Sequence, residues 1–115
     1  MTIAQFQRLI ERIYLDKDRR RGVAGTFMWF AEETGELARA LRSRDEAQLR
    51  AEFADVLAWM STLASITGID PEDAARSKYE SGCPKCGGTP CRCENVSSPG
   101  DSPCRPNASE PQCGS

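Results

Sequence analysis

Apolar residues recur at helical spacing along the first 80 positions, and the recurrence then stops. Thr2 and Gln5 have the form of a capping box. Ile3, Phe6, Ile10 and Ile13 follow on one face, with Leu9 alongside, and predict a first helix. The run Asp16-Lys17-Asp18-Arg19-Arg20-Arg21-Gly22 interrupts that pattern and reads as a polar connection. Its arginines have the chemistry to grip phosphate, but a charge run is more often a solvated linker, and we read it so. A second helix is expected from about Val23 to Arg42, burying Val23, Phe27, Phe30, Thr34, Leu37, Ala38 and Leu41. Ser43 with Glu46 repeats the capping-box pattern and opens a third helix. Its core stripe is Leu49, Phe53, Val56, Leu57, Met60, Leu63 and Ala64, and Gly68 supplies the stop. Asp70 caps a short fourth helix that has Pro71 at its first position and ends near Tyr79.

These elements make the fold class all-α, an antiparallel helical bundle joined by short turns. Roughly 80 residues give a thin core, so completion of the bundle by homo-oligomerisation is expected.

Composition divides the chain. All 6 cysteines lie at or beyond Cys83, and every proline except Pro71 lies beyond it too. Residues 1–80 are expected to form the helical domain, 81–94 a short Cys-rich C-terminal knuckle, and 95–115 a disordered tail of Ser, Pro, Gly and Asn. A net charge of −2 gives no field to attract a nucleic acid polymer or an acidic membrane surface. No apolar run approaches a membrane span, and the start of the chain lacks the apolar block of a signal peptide, so a cytoplasmic protein is expected.

The pattern also places acids unusually. Glu32-Glu33-Thr34-Gly35-Glu36 and Glu52-Phe53-Ala54-Asp55 fall on consecutive helices. Helical projection puts Glu33, Glu36, Glu52 and Asp55 beside the apolar stripes, with Glu32 further round. Each cluster has a tryptophan one turn away, Trp29 before Glu33 and Trp59 after Asp55. No Lys or Arg lies between Gly22 and Arg39 or between Arg50 and Arg76 to neutralise them. Carboxylates brought that close repel unless a cation lies between them, and oxygen ligands suit a hard cation such as Mg²⁺. The alternative is a set of acids that only solubilise helix surfaces.

The stretches "WFAEETGELARAL" and "AEFADVLAWMSTLASITGIDPEDA", followed by "KYE", resemble the MazG-like nucleoside triphosphate pyrophosphohydrolases over about residues 3–80. The resemblance implies a Mg²⁺-dependent enzyme that cleaves nucleoside triphosphates between the α- and β-phosphorus, leaving the monophosphate and pyrophosphate. It also implies a homodimer or dimer of dimers, with bundles completed between subunits. Glu33, Glu36, Glu52 and Asp55 would then hold Mg²⁺, and Glu32 would bind a second ion or act as base for the attacking water. Lys78 would contact phosphate or be an exposed charge. Trp29 would stack on the base or belong to the core, and Trp59 reads as core. Two alternatives stand beside this one: hydrolysis of a phosphoribosyl-nucleotide intermediate, and a non-catalytic helical adaptor.

In the knuckle, Cys83-Pro84-Lys85-Cys86 and Cys91-Arg92-Cys93 put four thiols within eleven residues. That spacing suits tetrahedral Zn²⁺, with unliganded or redox-active thiols as the alternative. A disulfide scaffold does not suit a reducing compartment. Cys104 and Cys113 read as spare thiols in the tail.

Overall fold

The structure, a computed structural model, describes residues 1–94; the expectations for the tail, including Cys104 and Cys113, lie outside the described residues. Three helices form and no strand occurs among the described residues: α1 (Ile3–Ser43), α2 (Glu46–Ile66) and α3 (Pro71–Tyr79). The all-α architecture is therefore observed. No helix among the described residues is long and apolar enough to cross a membrane.

α1 opens as its sequence indicates. The Thr2 side chain accepts from the Gln5 amide at 3.0 Å, and the Gln5 side chain accepts from the Thr2 amide at 2.7 Å. The expected connection at Asp16–Gly22 is different. Residues 16–21 continue the helix, and only Gly22 leaves it, at φ 79 and ψ 177. Lys and Arg are good helix formers, and Asp18 and Arg21 pair across one turn at 2.9 Å. Asp18 also accepts from the Thr62 hydroxyl of α2 at 3.1 Å. That contact fixes the polar turn against a neighbouring helix. Gly22 tolerates a positive φ that a side chain would strain, so α1 is two helical arms meeting at a kink.

The turn into α2 also departs from expectation. Ser43 closes α1, its hydroxyl donating to the Ala40 carbonyl at 2.9 Å, and Arg44 follows in the left-handed region at φ 57. Asp45, one residue before Glu46, is the cap, accepting from the Gln48 amide at 3.2 Å. Asp70 caps α3 as expected, accepting from the Glu72 amide at 2.9 Å.

Partners run in opposite order along α1 and α2. Gln7 donates to Ser65 and to the Ile69 carbonyl, Asp18 meets Thr62, and Trp29 meets Trp59. The two helices are therefore antiparallel. Their seam is made of small and polar side chains: Thr26, Ala40 and Ser61 are wholly buried, and Thr62 nearly so. Small residues let the backbones approach closely, and this overturns the expected core. Val23, Phe27, Leu41, Phe53, Leu57 and Met60 are exposed in the single chain, with Phe27 and Phe53 each at 56%.

The chain divides into two compact units after Glu72. The first holds α1, α2 and the start of α3. The described part of the second runs from Asp73 to the cysteine loop, where Gly87 donates to the Cys83 carbonyl at 2.7 Å and Cys83 to the Gly88 carbonyl at 3.0 Å.

Candidate active site

The α1–α2 seam brings the acids together. Glu33 on α1 and Glu52 and Asp55 on α2 each offer a carboxylate oxygen within 4.8 Å of the others. Glu36 stands outside that trio, although its charge reaches Glu33. Glu32 is exposed and also stands outside the trio. The Glu33 carboxyl is pushed above its ordinary value of 4.5, first by desolvation, then by its hydrogen bond to Glu52. The charges of Asp55, Glu52 and Glu36 add to that shift. Glu52 Oε2 is buried with no hydrogen-bond partner. An acceptor held out of water without a donor is costly. Crowded carboxylates with one orphaned oxygen therefore fit a divalent cation, whose charge would satisfy both defects at once.

Beside the trio lies a cleft of about 270 Å³ whose lining includes Asp55, Trp59, Tyr14, Lys17, Asp18 and Arg21. Trp29 and Trp59 stack at 6.0 Å between centroids with planes 9° apart. The Arg21 guanidinium lies 4.9 Å from the Trp59 ring centroid. Trp59 is thus a wall of this cleft as well as a packing residue, and Trp29 keeps about half its surface exposed.

Lys17 and Asp18 are not candidates in the sequence reading, and the arginines of the run, Arg21 among them, are weighed there as a phosphate grip and read as a solvated linker. One signal for them was present. Ile10, Tyr14, Lys17, Asp18 and Arg21 share a single helical face once the helix is carried through the charge run. Lys78 is half-buried in the last turn of α3, in the second unit rather than in the one that carries the acids.

The four cysteines Cys83, Cys86, Cys91 and Cys93 also cluster, with every Sγ within 4.8 Å of the rest. Amides of Arg92 and Gly88 hold the Cys86 thiol down to about 6. Desolvation, and then the neighbouring sulfurs, push the Cys93 thiol up to about 12.

A family model for the MazG nucleotide pyrophosphohydrolase domain matches residues 22–87, which is more than half of the 115 residues. The chain belongs to the MazG nucleotide pyrophosphohydrolase family. No curated protein matches it. Membership supports nucleotide pyrophosphohydrolase activity in general. The MazG match contains the acidic trio, Glu32, Glu36 and both tryptophans. It begins at the kink, so Lys17, Asp18 and Arg21 fall before it, while Cys91 and Cys93 fall after it.

Proposed function

We propose that this MazG domain hydrolyses nucleoside triphosphates to the monophosphate and pyrophosphate, with Mg²⁺ as its cofactor. The observation that carries the reading is the convergence of Glu33, Glu52 and Asp55, together with the buried, unpartnered Glu52 Oε2. Glu33, Glu52 and Asp55 would hold the ion, with Glu36 completing its negative surroundings. When bound, the ion supplies charge neutralisation at the phosphate oxygens and makes water more acidic.

The chain's own residues supply the rest. Lys17 and Arg21 bring positive charge to a cleft that shares Asp55 with the acidic cluster, which suits a triphosphate reaching from one to the other. Trp29 and Trp59 offer an aromatic platform on which any base can stack. Glu32, exposed beside Glu33, would take a proton from the attacking water or bind a second ion. The reading includes a homo-oligomer in the cytoplasm, where thiols stay reduced.

The test is incubation of the full chain with mixed nucleoside triphosphates and Mg²⁺, following pyrophosphate and monophosphate. Stoichiometric release of both is expected. Asp55→Asn should lower kcat/KM by at least about 100-fold, or about 2.7 kcal/mol of transition-state stabilisation, with helix content unchanged. Absence of pyrophosphate from every triphosphate tried would favour a non-catalytic adaptor. Full activity in Asp55→Asn would remove that ligand from the site.

A further inference from the structure

We infer that Cys83, Cys86, Cys91 and Cys93 form a closed, four-thiolate structural zinc site that orders the described cysteine loop. The sulfurs are already spaced for it. Cys83 and Cys93 are 3.8 Å apart through Sγ, and Cys86 and Cys91 are 3.9 Å apart. Four sulfurs placed tetrahedrally at about 2.3 Å from Zn²⁺ are separated by about 3.8 Å along every edge. A disulfide would need its sulfurs at about 2.05 Å, so the observed spacing is that of ligands sharing an ion, not of bonded pairs.

The backbone is arranged around the sulfurs as well as the side chains. Gly88 and Arg92 donate their amides to Cys86 Sγ at 3.4 and 3.3 Å, and Cys93 donates to Cys91 Sγ at 3.3 Å. These donors stabilise negative sulfur and orient it, the outer-shell role that hydrogen bonds fill in metal sites. The glycines make the turn feasible. A Cβ at Gly82 would stand 2.7 Å from Thr89 Oγ1 and 2.8 Å from the Gly87 carbonyl. One at Gly88 would stand 2.7 Å from the Pro90 carbonyl.

Energetics point the same way. Residues 80–94 contain no aliphatic side chain, so apolar burial cannot order the loop. Four sulfurs within 4.8 Å of one another can all ionise only with a cation among them, since neighbouring negative charge disfavours each thiolate. Metal binding resolves both problems, because the free energy of coordination becomes free energy of folding. All four positions are taken by protein, which leaves none open for water or substrate and makes the centre structural. Sulfur-only tetrahedral ligands suit Zn²⁺ or iron, and among these the redox-inert ion fits a purely structural role. The family match ends between the two cysteine pairs, so it includes Cys83 and Cys86 and leaves Cys91 and Cys93 outside.

The experiment is elemental analysis of the full chain, followed by replacement of its metal with Co²⁺ and visible spectroscopy. About one zinc per chain is expected, with the intense bands of tetrahedral tetrathiolate Co²⁺. Cys86→Ser and Cys91→Ser should each lose the metal or the tetrathiolate spectrum. Cys104→Ser with Cys113→Ser should retain both. Three results would overturn the inference: no stoichiometric binding after zinc is supplied, iron in place of zinc, or loss of the site in the Cys104/Cys113 double variant.

Discussion

Glu33 is where the cost of the acidic cluster is concentrated. Its carboxyl is desolvated, bonded to Glu52 and faced by the charges of Asp55, Glu52 and Glu36. Each of these favours the protonated form, so the folded chain binds this proton more tightly than the unfolded chain. Stability therefore falls as pH rises whenever the folded state holds the extra proton. The contribution is whole below the ordinary value of 4.5 and is lost as pH climbs through the raised value. Denaturant unfolding of metal-free protein between pH 4.5 and about 7 should show a declining stability that Glu33→Gln makes shallower. Mg²⁺ should flatten the decline in the parent chain, since the ion favours the ionised carboxylate. An identical slope in parent and variant would mean that Glu33 carries no strain. The acids themselves were legible from sequence, because their spacing and lack of basic neighbours are properties of the string. Their ranking was not. The separation of the close trio from Glu36 and Glu32 depends on where α2 crosses α1, and that crossing depends on the size of the seam residues.

At the scale of the helices, one buried charge explains both what was read correctly and what was missed. Four helical arms, the two of α1 with α2 and α3, their order and most of their ends follow from periodicity and capping residues. The charge run before Gly22 does not, because seven charged or glycine positions in a row look like a loop to any argument from apolar spacing. Asp18 decides the matter. It is only 3% exposed, with one oxygen taken by Arg21 and the other by Thr62. A helix carrying such a residue is fixed by a tertiary contact that no local pattern reveals. Thr62→Val keeps the shape and removes the donor, leaving a buried carboxylate oxygen unsatisfied. Urea unfolding should show a loss of about 1–3 kcal/mol. Arg21 would keep its other contacts but lose the anchor that holds its partner, so KM for the triphosphate should rise as well. A loss below about 0.5 kcal/mol would be that of an ordinary surface change and would show that Thr62 is not what anchors Asp18.

At the scale of the whole molecule, the two units are held by different physics. The described cysteine loop relies on sulfur in place of a core. The helical unit has the opposite problem, a large apolar surface with too little to cover it. Among the described residues only Ala4, Ile10 and Ala40 are buried apolar side chains, while Val23, Phe27, Leu41, Phe53 and Met60 are each more than 40% exposed. The stripes expected to be core are therefore real apolar faces, but one chain does not bury them. Sequence periodicity identifies such a face and is silent on which molecule covers it. Apolar surface is worth about 25 cal/mol per Å² on burial, and a stable interface buries at least about 1,200 Å². Two copies of this face meeting would supply both the missing core and a closed symmetric assembly. Sedimentation at micromolar concentration should accordingly give a dimer or a dimer of dimers, with a thermal midpoint that rises with protein concentration. Phe27→Glu and Phe53→Glu lie outside the acidic trio and are more than half exposed in one chain, and Phe27 gives up one ring contact, with Phe30 at 6.3 Å, so each should cost a monomer's own packing little. If the face is an interface, either change should shift the assembly toward monomer and lower the midpoint. A parent chain that sediments as a monomer, with a midpoint independent of concentration and unaltered by both substitutions, would show that this face meets water and not a second copy.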